Sequence, residues 1–199
     1  MKWPLTFSLA LLLCLHYSTA QITFGAKAGI NLANWTTRGH NTLTDFHAGA
    51  LINFRMGESF SVEPELLYSG KGTDLNDFFP NNPMRFTVQY LSLPVMLGYQ
   101  VGQATFRLGP EVSYFLNSSI EINSQMQDVD EAFKKWDIAI TAGASLQIFS
   151  GLALEVRYLY GLQDVVELLF VDPNGLPLGT LDEGKNRVLQ IGLRYQLNY

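Results

Sequence analysis

The chain has 199 residues, 47% of them hydrophobic, with a formal net charge of −5 and a single cysteine. That length suits one domain, and a lone thiol excludes a disulfide-stapled scaffold. An acidic balance without any Lys/Arg cluster argues against nucleic acid as a partner.

The start reads as an export leader. Met1-Lys2 is a short positive start, Leu5 to Leu15 is apolar, and Ser18-Thr19-Ala20 supplies the small residues a signal peptidase reads. This predicts a cleavable signal peptide over residues 1–20 and a domain over 21–199 that begins at Gln21. Cys14 follows Leu13 rather than a small residue, so it reads as part of the discarded leader and not as a lipidation site. Cleavage leaves a cysteine-free chain without a thiol nucleophile. No later stretch approaches the roughly 18 consecutive apolar residues of a spanning helix.

From Ile22 onward, period-two alternation recurs, the signature of strands with one apolar face. Ile22, Phe24, Ala26, Ala28, Ile30 and Leu32 share one face, opposite Thr23, Gly25, Lys27, Gly29 and Asn31. Phe46, Ala48, Ala50, Ile52 and Phe54 oppose Asp45, His47, Gly49, Asn53 and Arg55. Phe60, Val62, Leu66 and Tyr68 oppose Ser61, Glu63, Glu65 and Ser69. Between Phe86 and Tyr99 the apolar set switches from Phe86, Val88 and Tyr90 to Leu91, Leu93, Val95, Leu97 and Tyr99, which predicts a bulge near Tyr90–Pro94. Phe106, Leu108, Val112, Tyr114 and Leu116 form the next apolar face, then Trp136, Ile138, Ile140, Ala142, Ala144, Leu146 and Ile148. Leu152, Leu154, Val156, Tyr158 and Tyr160 follow, and Leu189 to Tyr199 closes the chain with its apolar set on odd numbers.

Connections alternate in length. Met56-Gly57-Glu58, Val101-Gly102-Gln103 and Phe149-Ser150-Gly151 are tight, whereas Ala33 to Thr44, Gly70 to Met84, Asn117 to Lys135 and Gln163 to Asn186 are long. Within the fourth long loop, the apolar stretch Val165 to Val171 suggests an extended hairpin turning at Pro173-Asn174-Gly175. Short turns at one end and long loops at the other are typical of outer-membrane barrels, with both termini periplasmic. The expectation is an all-β, eight-stranded antiparallel up-and-down transmembrane β-barrel.

Lipid inverts the usual placement of charge. Lys27, Arg107, Arg157 and Arg194, with Glu63, Glu65, Glu111, Asp137 and Glu155, are expected to point inward and pair, because a lipid-facing Lys or Arg at midplane costs about 2–4 kcal/mol. An eight-stranded lumen has room for side chains and not for an open channel. Trp35, Tyr68, Tyr99, Phe149, Tyr158, Tyr160, Tyr195 and Tyr199 lie near strand ends and are read as aromatic girdles. Pro64, Pro94 and Pro110 fall inside strands, where local bulges are expected to absorb the missing donors.

Several stretches carry a resemblance. Phe24-Gly25-Ala26-Lys27-Ala28-Gly29-Ile30-Asn31-Leu32, Glu63-Pro64-Glu65-Leu66-Leu67-Tyr68-Ser69-Gly70-Lys71-Gly72 and Tyr90-Leu91-Ser92-Leu93-Pro94-Val95-Met96-Leu97-Gly98-Tyr99 resemble strands of the PorT-like outer-membrane β-barrel family of Bacteroidetes-type bacteria. Gly109-Pro110-Glu111 and Arg157-Tyr158 to Gly161-Leu162 are similar to its later strands. The resemblance implies an eight-stranded outer-membrane barrel and brings no catalytic residues.

Chemical sites are sparse. After the leader only His40 and His47 remain; His47 beside Asp45 has the makings of a base for a serine, but a lumenal histidine in a polar network is the commoner arrangement. Asp128, Asp130, Glu131, Asp182 and Glu183 match no calcium-loop spacing and read as solvated loop acids. Neither catalytic, cofactor nor metal residues are assigned. The reading is therefore a non-enzymatic outer-membrane protein, structural or interacting through its loops. A lipid-modifying hydrolase, a narrow channel or a secretion accessory are the alternatives. Expected partners are outer-membrane lipid, an unidentified protein at the long loops, and the barrel-assembly machinery, which would read the polar-x-Gly-x-x-aromatic pattern from Gln190 to Tyr195 and the strand end at Tyr199. The protein is expected to be a monomer.

Overall fold

A computed structural model describes residues 21–36, 41–75, 84–122, 125–128, 130, 133–171 and 177–197. Its strands are β1 (Gln21–Trp35), β2 (Leu43–Met56), β3 (Phe60–Asp74), β4 (Met84–Val101), β5 (Ala104–Ile122), β6 (Gln125–Asp128), β7 (Trp136–Phe149), β8 (Leu152–Gly161), β9 (Val166–Val171), β10 (Pro177–Glu183) and β11 (Asn186–Gln196). Eight of them, β1 to β5 with β7, β8 and β11, close an antiparallel barrel. The ring is completed by β11 against β1, from Trp35 opposite Asn186 to Gly25 opposite Gln196. Closure leaves the barrel no edge strand, which a sheet in hydrocarbon cannot tolerate.

The alternation written in the sequence becomes two faces. Phe24, Phe106, Leu108, Trp136, Ile138, Ile140, Leu146, Val156 and Tyr158 all point outward and are exposed, as their spacing predicts. Lys27, Glu63, Glu65, Arg107, Asp137, Glu155 and Arg157 are buried inside. In water this arrangement would be inside out; against lipid it is the stable one.

Outward aromatics pack tilted or edge-on across neighbouring strands at both ends. Phe46 meets Tyr68 at 5.6 Å and Tyr114 meets Trp136 at 4.9 Å near the long-loop end, while Phe60 meets Tyr99 at 5.0 Å near the short-turn end. Along β5, Phe106 and Tyr114 are separated by roughly 26 Å of strand, or about 20 Å once tilted, close to the height of a lipid-facing band. Trp35 does not join these girdles. It is buried inside the barrel, because β1 keeps its alternation to the end and odd-numbered residues face inward.

Each tight connection turns on a glycine in the left-handed region: Gly57 (φ 69°), Gly102 (φ 59°) and Gly151 (φ 76°). A Cβ on Gly102 would meet no atom within 4 Å, so substitution there strains only the backbone. Gly102→Val is expected to cost about 1–2 kcal/mol, read as a lower urea midpoint for the detergent-folded barrel. An unchanged midpoint would show that the turn relaxes without glycine.

The expected change of face in β4 does not occur. Even-numbered residues face inward along the strand, and Tyr90 (0% exposed) and Val88 (1%) lie inside with Ser92 and Met96. Pairing with β3 keeps one register from Phe60 opposite Tyr99 to Asp74 opposite Arg85. The slip belongs to β5, where Gln89 faces Asn117 but Tyr90 faces Phe115, leaving Leu116 as the extra residue. The inner face of β4 becomes bulky and apolar at Phe86, Val88 and Tyr90 because its upper half lines a hydrophobic cap instead of the charged lumen.

No register shift accompanies the three prolines, contrary to expectation. The β2–β3 ladder lapses between Leu51–Glu65 and Phe54–Val62, β3–β4 between Pro64–Val95 and Leu67–Ser92, and β4–β5 between Pro94–Glu111 and Leu97–Leu108, each resuming in register. Lost donors are thus absorbed as short gaps flanked by intact pairing. Two features were not expected from sequence. Strand β6 pairs with the end of β5, and β1, β3, β4 and β5 run further into the long loops than their alternation indicated. The apolar stretch of the fourth loop does form a hairpin, β9 against β10; Pro173-Asn174-Gly175 lies outside the described residues.

Candidate functional site: a charged, packed lumen

Five buried cations, Lys27, Lys71, Arg107, Arg157 and Arg194, face five buried carboxylates, Glu63, Glu65, Glu111, Asp137 and Glu155, along the lumen. They sort into two groups. Nearer the short turns, Glu155 gathers Lys27, Arg157 (Nε at 2.9 Å), Arg194 (Nη1 at 3.1 Å) and, more distantly, Arg107 at 3.9 Å. Arg107 and Arg194 both donate to Glu63. Arg157 grips Glu65 with two guanidinium nitrogens, Nη1 at 2.9 Å from Oε2 and Nη2 on Oε1, and Lys27 lies 3.7 Å from the same carboxylate.

Above this group Lys71 is enclosed by Glu111 at 3.1 Å, Asp137 at 3.4 Å and Ser113 Oγ at 3.1 Å. Asn186 donates to Asp137 at 2.9 Å, and Thr141 donates to Glu111 at 3.2 Å. Arginine's forked, always-charged donor suits it to such buried pairing.

The glycines make room for these long side chains. A Cβ on Gly143 would lie 2.6 Å from Arg157 Cγ, and one on Gly29 would lie 2.8 Å from the His47 ring. The inward apolar side chains Leu51, Leu67 and Met96 are buried alongside them. At the long-loop end Trp35, Val88, Tyr90, Phe115, Phe133 and Val165 form a buried apolar cluster over the charges, with Lys71 Nζ 5.0 Å from the Tyr90 ring centre.

Every charged residue expected inside is inside. Lys71 was missed because Gly70-Lys71-Gly72 reads as the start of a loop; extending the odd-numbered series Glu63, Glu65, Ser69 by one step would have found it. The hypothetical base pair does not form. His47 Nδ1 lies 2.7 Å from Asn31 Oδ1, whereas Asp45 accepts from Gln89 Nε2 at 3.1 Å. Asn31 in turn donates to Ser69, which lies opposite His47 in the β2–β3 ladder, and to the Gly70 carbonyl. Histidine and serine are thus both held by Asn31 in a buried polar network rather than bonded to each other among the described residues. Among the loop acids, Asp130 accepts from the Ser118 amide at 2.6 Å and its hydroxyl at 3.0 Å, a local loop brace. Among the described residues no cluster of His, Cys, Asp or Glu is arranged to hold a metal.

An apolar exterior with aromatic girdles, around a lumen of neutralising charges, defines a transmembrane β-barrel of the outer-membrane type. The chain belongs to the outer membrane protein beta-barrel domain family, whose model matches residues 17–167. It is an outer-membrane protein.

Solved barrels share the fold. Neisserial surface protein A superposes with a TM-score of 0.52 at 11% identity, covering 88% of this chain and 97% of that one. The attachment invasion locus protein Ail of Yersinia pestis gives 0.50 at 12% identity, with 88% and 98% covered. A major outer membrane protein from Thermus thermophilus gives 0.50 at 9%, with 88% and 99% covered. At these identities the likeness is one of fold. No curated protein sequence matches the chain.

Proposed function

We propose that this protein is a non-enzymatic, monomeric barrel of the PorT-like branch, acting through its long loops outside the cell. The supporting observation is the lumen: paired charges and an apolar cluster occupy the barrel interior. Transport through the barrel is thereby disfavoured. What remains for recognition is the long-loop end, where β3, β4 and β5 run on and β6 and the β9–β10 hairpin add surface. In this reading residues 1–20 are removed on export, both termini lie in the periplasm, and the barrel-assembly machinery takes up β11 together with the C-terminal Tyr199.

Because the chain after residue 20 contains no cysteine, single cysteines report orientation directly. Met126→Cys on β6 should label with an impermeant maleimide in intact cells, and Glu58→Cys in the first short turn only after permeabilisation. The opposite pattern would reverse the orientation. In planar bilayers the protein should show no sustained conductance, and His47→Ala should leave lipid A and phospholipid composition unchanged. A steady conductance would restore the channel reading, and altered lipid would restore the hydrolase.

A further inference from the structure

A polar cavity of about 330 Å³ occupies the barrel mouth at the short-turn end. Arg107 and Arg194 line it from within, and Arg55 stands at its exposed rim. Gln100, Gln103, Gln147 and Gln196 surround these guanidinium groups, and among the described residues no Asp or Glu lines the cavity. This is unusual ground in a chain of net charge −5. The buried lumen as a whole is balanced, but its lower part is not. Arg107, Arg194, Lys27 and Arg157, with Arg55 at the rim, outnumber Glu63, Glu65 and Glu155, and the excess carboxylate lies above, where Glu111 and Asp137 share Lys71. Arg55 hydrogen-bonds Gln100 at 3.2 Å and has no ion pair with a described residue.

Arg194 Nε and Gln196 Nε2, on two of the lining residues, are buried atoms that donate no hydrogen bond among the described residues. A cavity lined by three arginines and by no described carboxylate is complementary to an oxyanion, and guanidinium forks match phosphate oxygens. The glutamines each present a donor and an acceptor, which suits hydroxyl groups. Among the described residues Leu152 and Ala153 are the only apolar side chains in the lining, too little to hold an acyl chain. The volume lies at the small end of ligand pockets.

We propose that the short-turn mouth of this barrel binds a small phosphorylated polyol, the phosphate held by Arg55, Arg107 and Arg194 and the hydroxyls by the glutamines. The test is calorimetry on the detergent-folded protein at low salt, with glucose 6-phosphate, inorganic phosphate and glucose as probes. Glucose 6-phosphate should bind at least about tenfold tighter than either of the other two, and less tightly as salt is raised. Arg55→Gln, at the rim and outside the buried network, should weaken it about tenfold while the heat-modifiable gel shift stays normal. Gln147→Leu should narrow the preference for glucose 6-phosphate over phosphate. No binding by the wild type, or no change in Arg55→Gln, would overturn the site. Equal affinity for glucose 6-phosphate and phosphate would overturn the assignment of a polyol.

Discussion

Replacing Glu155 with glutamine should destabilise the barrel by about 3–5 kcal/mol, the usual effect of removing one partner from a buried ion pair. Glu155 is the acid common to Lys27, Arg157 and Arg194, with Arg107 3.9 Å away. Glutamine preserves the shape and leaves those cations with one carboxylate fewer. A second substitution, Lys27→Met, should recover part of the loss by removing a cation that has lost its closest acid. Urea unfolding in detergent or lipid reads both effects, with Glu58→Gln in an exposed turn as the neutral control. A loss below about 1 kcal/mol for Glu155→Gln would mean that water, and not protein charge, solvates the lumen.

Val156→Arg should be nearly as damaging for the opposite reason. Val156 lies outward near the middle of β8, between Ala144 of β7 and Ile191 of β11. A guanidinium held at the membrane midplane costs about 2–4 kcal/mol, and here it has no lumenal acid to reach. The expected result is a lower unfolding midpoint in vesicles and less protein inserted in cells. Met126→Arg, on a side chain 75% exposed beyond the girdle, should leave both unchanged. If the two variants behaved alike, Val156 would not face lipid.

Most of the barrel was legible because lipid makes the two faces chemically opposite. In β7 the outward run Trp136 to Ile148 and the inward Asp137, Thr141 and Ser145 could be assigned from spacing alone. That logic fails above the girdles, where the interior is itself apolar. Phe86, Val88 and Tyr90 look lipid-facing by composition, yet Val88 and Tyr90 are buried in the cap and Phe86 packs against it. Trp35 misleads in the same way. Nor can spacing reveal which charges meet: Arg194 and Glu63 are 131 positions apart and join only across the lumen. The mouth cavity escaped notice for the same reason, since its arginines and glutamines come from separate strands. The broader family is established, while the finer branch rests on short motifs alone.

The way the lumenal charges are shared among strands has a consequence for assembly. Arg157 and Arg194 reach Glu155 within the β8–β11 pair, but Glu63 on β3 meets Arg107 on β5 and Arg194 on β11, and Lys27 on β1 meets Glu155 on β8, only across the lumen. A sheet still lacking its last strand leaves Glu63 without Arg194, and the seam beside Lys27 open. Partial structures are therefore penalised until the final strand docks, when several bonds form together. Closure acts as a checkpoint: a chain truncated before β11 should not persist as a slightly weaker barrel but should be left open to proteases.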